Sequence, residues 1–287
     1  MEKINHFFEL TRLKKPIGYM LLFWPCVWGL TIAFDFANNV QIYLKYCFLF
    51  LCGSILMRSA GCIINDIADK DFDAKVARTK KRPIAFGKVS VKLGLFYSAI
   101  LCLIALNVLL QFNLYTIILA LCSMPLAFTY PYMKRFTYWP QLFLGVTFNY
   151  GLILGWTAIY ADLNVVPLIF YFGAIFWTLG YDTIYGFQDI KDDEIIGLKS
   201  TSIKFKNNPK IFLFLSYTIF FISLLFIGIS MDLNNIYFLF LIIIFSHLYI
   251  LQINQLKTKN TVNCLKVFKS NNTLGFLVFV SLILGKI

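Results

Sequence analysis

The sequence predicts an all-α integral membrane protein with nine transmembrane helices, and its composition and hydropathy pattern carry this prediction. Of the 287 residues, 59% are hydrophobic and only 14% are charged, and the mean hydropathy is +0.73. A soluble globular domain has roughly 25% charged residues, so this chain could not cover its surface in water. Apolar stretches recur from end to end of the sequence. These observations exclude a soluble enzyme, a disordered protein and a disulfide-stapled secreted module.

Nine apolar segments are long enough to be considered as membrane spans. A helix needs about 20 mostly apolar residues to cross a bilayer. The predicted spans, of which the last is short, are residues 17–36, 42–62, 91–111, 114–131, 139–160, 165–187, 211–230, 236–254 and 273–287.

The basic residues indicate how these spans are oriented. All of the 26 Lys and Arg except Lys45 and Lys286 lie at the N-terminus or at alternate connections between spans. By the positive-inside rule these connections and the N-terminus are cytoplasmic, and nine spans then place the C-terminus in the periplasm. Because neither a cleavable signal peptide nor a mitochondrial presequence is recognisable, we expect the bacterial inner membrane. The net charge of +12 follows from this topology, so no nucleic-acid partner is expected.

The acidic residues are concentrated in two short segments. Nine of the 14 carboxylates lie within residues 66–73 and 182–194. The first of these acidic segments follows the second predicted span and the other follows the sixth. Both therefore emerge on the cytoplasmic face.

The first acidic segment has the pattern N-D-x-x-D-x-x-x-D. If the second helix continues through residue 73, Asn65, Asp66, Asp69 and Asp73 fall within an arc of about 100°, and Arg58 projects into the same arc. Carboxylate and amide oxygens suit Mg²⁺, which usually completes its shell with waters and substrate phosphates. The pattern favours a Mg²⁺–phosphate site over a solvated acidic helix end.

The second acidic segment repeats this arrangement. On a continuous helix, Asp182, Asp189 and Asp193 lie within about 40° of one another. Asp182 is inside an apolar span, and an intramembrane carboxylate is a functional candidate by default. We expect Asp192 and Glu194 to be solvated.

Basic residues accompany both acidic segments, with Arg78 after the first and Lys199 after the second. Two acidic faces with metal ions between them and cations at the rim would bind a diphosphate. An apolar bundle around such a site indicates a substrate with a hydrocarbon tail. Ionisation of an allylic diphosphate in a water-excluding site would let an aromatic nucleophile capture the carbocation.

Several motifs resemble the UbiA superfamily of intramembrane prenyltransferases. The residues that carry the resemblance are MRSAGCIINDIAD at 57–69, the pairs Arg78–Thr79 and Arg82–Pro83, YDTIY at 181–185 and DIKDD at 189–193. Three further stretches, RLKKPIG at 12–18, TYPYMKR at 129–135 and GLKST at 197–201, resemble the branch that prenylates 4-hydroxybenzoate. The resemblance covers roughly residues 10–205, and the last three spans match only in hydropathy.

The resemblance implies a single domain over residues 1–287, with nine helices around a central cavity and motif segments at 58–82 and 181–200. It also implies Mg²⁺ bound by aspartates, namely Asp66, Asp69, Asp73, Asp189 and Asp193. Asp69, Asp193 and Asp182 would be catalytic, and Asp182 would position a metal-bound water or the acceptor phenol.

The same resemblance assigns the substrate-binding residues. Arg58 would hold the acceptor carboxylate, while Asn65 belongs to the first Mg²⁺–diphosphate motif. Further contacts would come from two residues that match diphosphate ligands, Arg78 and Lys199, and from two in a loop that caps the site, Lys134 and Arg135.

The expected reaction is Mg²⁺-dependent transfer of a polyprenyl group from polyprenyl diphosphate, within the lipid membrane, to the ring carbon of 4-hydroxybenzoate ortho to the phenol. This step belongs to ubiquinone biosynthesis. The base that removes the ring proton is open between a motif aspartate and the released diphosphate. Two alternatives are a related enzyme with haem, homogentisate or dihydroxynaphthoate as acceptor, and a cation-coupled transporter. A transporter would place its carboxylates near the membrane midplane rather than at helix ends.

Overall fold

The computed structural model describes residues 2–287, and this part of the chain is all-helical, without a β-strand. The prediction of an all-α membrane protein is confirmed. The helices are α1 (Glu2–Thr11), α2 (Ile17–Ala33), α3 (Val40–Ala68), α4 (Lys70–Asp73), α5 (Val91–Leu109), α6 (Leu114–Thr129), a 3₁₀ turn (Tyr130–Tyr132), α7 (Met133–Phe136), α8 (Pro140–Tyr160), α9 (Val165–Gly186), α10 (Ile190–Ile196), α11 (Thr201–Lys204), α12 (Pro209–Ser230), α13 (Asn235–Ser246), a π-helical segment (His247–Asn254) and α14 (Thr261–Lys286).

Eight helical stretches in the described chain are long and apolar enough to cross a membrane. They correspond to the predicted spans other than the first. The stretch that matches the first prediction, α2, has 17 residues and is therefore somewhat shorter than the roughly 20 residues of a typical span. The last span is not short, because α14 has 26 residues and begins twelve residues before the predicted start.

Polar residues set the starts of most long helices. The side chains of Asn39, Ser90, Asn113, Asn164 and Asn234 each accept a hydrogen bond from a backbone N–H in the first turn of the helix that follows. Such caps satisfy donors that have no partner within the helix. The starts of these five helices lie within two residues of the predicted ones, whereas that of α14 was missed by twelve.

Close packing of α2 against α8 forms the centre of the larger hydrophobic core. A Cβ atom on Gly29 would lie 1.9 Å from the carbonyl oxygen of Leu152, so only glycine permits this approach. Trp28, fully buried, stacks on Phe170 of α9 at 5.6 Å between ring centroids. A smaller core joins α1, α3 and α5 through residues such as Leu10, Ile63 and Leu101.

The first and last long helices are parallel and end together. Lys286, in the last turn of α14, donates hydrogen bonds to the carbonyl oxygens of Thr31, Ile32 and Phe34 at 3.2, 2.9 and 2.5 Å. These carbonyls belong to the C-terminal end of α2, where a cation is favourable. The C-terminal ends of α2 and α14 therefore lie at the same end of the bundle, while the number of spans and the side of each terminus stay predictions.

Both helices that were predicted to run through the acidic segments are interrupted, so those two predictions are wrong. Helix α3 ends at Ala68, whose carbonyl oxygen accepts a hydrogen bond from Arg135, and a new short helix begins at Lys70. Helix α9 ends at Gly186, where the Gln188 side chain donates to the Tyr185 carbonyl at 3.0 Å. At Ala68 a side-chain donor takes the place of the next helical hydrogen bond. At the end of α9 the Tyr185 carbonyl also accepts the backbone N–H of Gln188 at 3.2 Å, which tightens the last turn.

Candidate active site

The two acidic segments, far apart in sequence, meet at one end of the bundle. The backbone N–H of Ala77 donates to Asp192 at 3.2 Å, and Arg78 donates through two nitrogens to both carboxylate oxygens of Asp189. The prediction that they lie on the same face is confirmed. Asp192, which we expected to be solvated, instead ties the two segments together, while Glu194 is exposed and pairs only with Lys206 at 2.5 Å.

Two arginines neutralise the deepest part of the first acidic segment. Asp66 accepts hydrogen bonds from Arg12 at 2.5 Å and from Arg82 at 3.1 Å, and Arg82 also donates to Asp73 at 2.6 Å. Both aspartates are buried, so their charges need such partners. Arg12 follows directly after α1 in the left-handed backbone region, at φ 54°.

Asp69 lies between α3 and α4 and is 2% exposed. Lys134 donates to its Oδ2 at 2.6 Å, while its Oδ1 is buried with no hydrogen-bond partner. Burial raises the pKa of the Asp69 carboxyl, and the ammonium group of Lys134 opposes this effect. A buried acceptor oxygen without a donor is chemically suited to a cation.

Arg78 and Tyr185 form a unit beside the second acidic segment. The Tyr185 hydroxyl accepts a hydrogen bond from Arg78 at 3.0 Å, and the guanidinium lies 5.4 Å from the centre of the tyrosine ring. The fork onto Asp189 is the bidentate geometry that arginine also uses toward phosphate.

Asp193 lies in α10, one turn after Asp189. Burial and the neighbouring charge of Asp189 raise the pKa of the Asp193 carboxyl to about 6, and Lys134 and Arg78 act in the opposite direction. Lys134 is therefore close to both acidic segments. A carboxylate that is difficult to ionise without a nearby cation fits a cation-binding role.

Arg135 and Lys199 face the backbone rather than the aspartates. Arg135 donates to the Ala68 carbonyl and lies 5.1 Å from the Phe72 ring. Lys199 donates to the Phe136 carbonyl at 3.3 Å, and its backbone N–H donates to the Lys134 carbonyl at 2.9 Å. Both therefore hold the loop that carries Lys134.

A second group of predicted residues lies deeper in the bundle. Arg58 lies 5.2 Å from the Phe148 ring, and Arg58 is the charged neighbour of Asp182. A Cβ atom on Gly18 would lie 2.8 Å from Arg58 Nε, so glycine leaves room for the guanidinium. Among the described residues Arg58 makes no ion pair with Asp66, Asp69 or Asp73, and its place on their face stays a prediction. Asn65 is half-buried one turn before Asp69.

The carboxylates do not form a preassembled metal site. In the described chain, no three His, Cys, Asp or Glu side chains are close enough together to hold one metal ion. The predicted ligands face basic side chains instead. The unpartnered Oδ1 of Asp69 is the feature that best fits a cation.

Three residues of the site were not identified as site residues from the sequence. Arg12, Arg82 and Tyr185 contact Asp66, Asp73 and Arg78. Arg12, Arg82 and Tyr185 stand inside motifs that carry the family resemblance. Their specific pairing depends on contacts between distant segments and has no local signal.

Two of the proteins similar in sequence to this chain carry the same name. The chain is 42% identical over 290 residues to "4-hydroxybenzoate polyprenyltransferase, mitochondrial" of Arabidopsis thaliana, covering 99% of this chain and 70% of that protein. It is also 42% identical over 285 residues to the protein of the same name from Homo sapiens, covering 99% and 76%.

Solved structures show the same fold. A UbiA homolog from Aeropyrum pernix K1 superposes with a TM-score of 0.71 at 23% identity, over 93% of this chain and 96% of that one. A UbiA homolog from Archaeoglobus fulgidus, bound to GPP and Mg²⁺, gives a TM-score of 0.69 at 17% identity, over 97% and 99%. The UbiA prenyltransferase family matches residues 22–282. The chain therefore belongs to the UbiA prenyltransferase family and is a multi-pass membrane protein.

Proposed function

We propose that the protein transfers a polyprenyl group from polyprenyl diphosphate to the ring of 4-hydroxybenzoate, ortho to the phenol, with Mg²⁺ as cofactor. The observation that carries this proposal is the meeting of two acidic segments, each paired with arginine or lysine, at one end of an apolar helical bundle. The acceptor is inferred from the relatives that are 42% identical over almost the whole chain.

The diphosphate is the part of the donor that the paired charges would bind. Arg78, Arg82 and Lys134 each form an ion pair with an aspartate of the site. All three side chains would also donate hydrogen bonds to phosphate oxygens. When bound by Asp66, Asp69, Asp73, Asp189 and Asp193, Mg²⁺ would supply Lewis-acid neutralisation of the departing diphosphate.

The acceptor would bind deeper, between Arg58 and Asp182. A guanidinium beside an aromatic ring, here Phe148 at 5.2 Å, can hold a benzoate carboxylate while the ring packs against apolar side chains. Asp182 would then orient the phenol. Asn65, Arg135 and Lys199 complete the proposed site, the last two by holding the loop that presents Lys134.

The chemical balance of the proposed step is simple. The bond between the allylic carbon and the diphosphate oxygen breaks, and a bond forms between that carbon and the ring. The ring proton then passes to a base, which is either a motif aspartate or the released diphosphate. The apolar bundle excludes water, which would otherwise capture the allylic cation. We also propose that residues 1–287 form one domain, with motif segments at 58–82 and 181–200.

The cellular location is a further part of the proposed function. We propose the bacterial inner membrane, with the N-terminus and the acidic segments on the cytoplasmic side, on the basis of the distribution of the basic residues. The two relatives described above are named mitochondrial. Fractionation of the source cells tests the membrane, and protease protection of the N-terminus tests its cytoplasmic side.

A membrane assay tests the proposed function. Membranes containing the protein are given radiolabelled 4-hydroxybenzoate and a polyprenyl diphosphate, with EDTA, without EDTA, and with EDTA followed by excess Mg²⁺. We expect label in the lipid extract that EDTA abolishes and Mg²⁺ restores. Labelling only with homogentisate or dihydroxynaphthoate would assign another acceptor, and cation-dependent solute uptake without any lipid labelling would assign a transporter.

A further inference from the structure

A buried amide pair links the last helices of the bundle. The side-chain oxygen of Asn271 in α14 accepts from Gln252 Nε2 at 2.9 Å, and Asn271 Nδ2 donates back to Gln252 Oε1 at 3.2 Å. Both residues are fully buried. Amides inside an apolar bundle are costly unless they are hydrogen-bonded, so their position calls for a reason.

The pair is connected to two further helices. Trp177 of α9 donates its indole N–H to Asn271 Oδ1 at 2.8 Å, and the Tyr217 hydroxyl of α12 donates to Gln252 Oε1 at 2.6 Å. His247 contacts Gln252 at 3.3 Å. The network therefore fixes α9, α12, the π-helical segment and α14 relative to one another.

The π-helical segment gives this network its geometry. His247 and Gln252 are five residues apart, and on an α-helix they would project about 140° apart. The wider winding of a π-helix brings such residues toward the same face, and π-helical turns occur frequently at functional sites. The irregular winding thus allows both side chains to reach the same network.

The network ends beside the diphosphate site. Asn271 Nδ2 also donates to the Phe268 carbonyl at 3.2 Å, one turn nearer the acidic segments. The Phe268 ring packs on Tyr185, with 4.6 Å between ring centroids. Tyr185 in turn accepts a hydrogen bond from Arg78, which also donates two hydrogen bonds to the Asp189 carboxylate.

We propose that Asn271 is a positioning residue for the diphosphate end of the site, acting through Phe268 and Tyr185 on Arg78. This inference rests on the proposed function. The Asn271–Gln252 pair holds α14 so that Phe268 supports the tyrosine ring, and the supported tyrosine keeps the guanidinium aimed at Asp189. Loss of the pair would loosen binding of the diphosphate while leaving the acceptor region intact.

The neighbouring residue provides a matched control. Asn272 also accepts an indole N–H, that of Trp24 at 3.0 Å, but its partner lies on α2 rather than in the chain of contacts to Tyr185. Asn271→Ala and Asn272→Ala each remove one hydrogen-bonded amide from the same turn of α14. Only the first is expected to change the diphosphate site.

The test measures binding of inorganic diphosphate with Mg²⁺ by calorimetry, and transfer kinetics, in purified full-length protein. We expect Asn271→Ala to raise Kd for diphosphate and KM for polyprenyl diphosphate about tenfold, which is the effect of about 1.4 kcal/mol. The KM for 4-hydroxybenzoate and kcat should change less than threefold, and Asn272→Ala should match wild type. The proposal would be overturned if both alanine variants raised the diphosphate Kd equally. It would also be overturned if Asn271→Ala lowered kcat and raised both KM values by the same factor.

Two further variants keep the test decisive if Asn271→Ala does not fold. Phe268→Leu retains the amide pair and removes the ring that supports Tyr185, so it should show the same rise in diphosphate Kd, and an unchanged Kd would overturn the proposal. In Tyr185→Phe, adding Phe268→Leu should produce little further loss, because coupled residues are non-additive. Wild-type protein that binds diphosphate but does not label 4-hydroxybenzoate would contradict the proposed function and leave this comparison intact.

Discussion

Arg78 and Asp189 join the two acidic segments, although they are 111 positions apart in the chain. The guanidinium donates to Asp189 from Nε at 2.7 Å and also from Nη2, and its third nitrogen, Nη1, donates to the Tyr185 hydroxyl. One arginine thus contacts both the second acidic segment and the end of α9.

Arg78→Lys should raise KM for polyprenyl diphosphate about tenfold or more, because a lysine cannot make the fork and the tyrosine contact together. Steady-state kinetics in proteoliposomes measure this effect. Lys80→Ala is the control, since Lys80 is exposed two residues away. A wild-type KM in the Arg78→Lys variant would contradict the proposed role of the guanidinium.

Asp193→Ala should lower prenyl transfer at least about 100-fold, the scale of losing a group that stabilises developing charge. The adjacent Glu194→Ala should retain activity, because Glu194 is exposed and pairs only with Lys206. Asp69→Ala should behave like Asp193→Ala. Near wild-type rates in either aspartate variant, with the protein present in the membrane, would contradict the metal-binding proposal.

Lys134→Ala should destabilise the protein by about 3 kcal/mol, because it leaves the charge of buried Asp69 without its partner. Adding Asp69→Asn should recover much of this loss, since the neutral amide no longer requires a cation. Thermal unfolding in detergent, followed by size-exclusion chromatography, compares the single and double variants. A double variant no more stable than Lys134→Ala would show that the ion pair is not the cause.

Asp193→Asn should stabilise the metal-free protein at neutral pH. The pKa of Asp193 is about 6 in the folded protein against an ordinary value of 3.8, so the folded state binds the proton more tightly. Its contribution to stability therefore falls as pH rises from about 4 to 6 and stays constant above that. Melting temperatures in EDTA should be higher for Asp193→Asn than for wild type at pH 7.5 and equal near pH 4.

Glu194→Gln is the control for this pH dependence and should follow the wild-type curve. A melting temperature of Asp193→Asn at or below that of wild type at pH 7.5 would show that the carboxylate is not disfavoured in the folded state.

Gly29→Ala should destabilise the bundle by about 1–3 kcal/mol or prevent folding, because its Cβ would overlap the Leu152 carbonyl of α8. Gly53→Ala is the matched control in another long helix, where no atom lies within 4 Å of the added Cβ. We expect this control to melt at or above the wild-type temperature, since alanine favours helix over glycine. Equal melting temperatures of the two variants would contradict the packing of α2 on α8.

The helices and the location of the site could be predicted from the sequence because their signals are local. Apolar run length sets where a helix can cross a bilayer, and capping residues such as Asn113 and Asn164 set where it begins. The acidic segments are each continuous in the sequence, and the charge pattern alone placed them on one face. The structure brings both together.

The tertiary structure alone decided how the site is assembled. At the break after Ala68, the carbonyl oxygen accepts a hydrogen bond from Arg135, 67 residues away. The pairing of Arg12 with Asp66 and of Arg78 with Asp189 joins segments that no local pattern connects. The hydropathy pattern also does not predict the π-helical winding around Gln252. Local preferences are read from neighbouring residues, whereas these contacts exist only after distant helices have packed and excluded water.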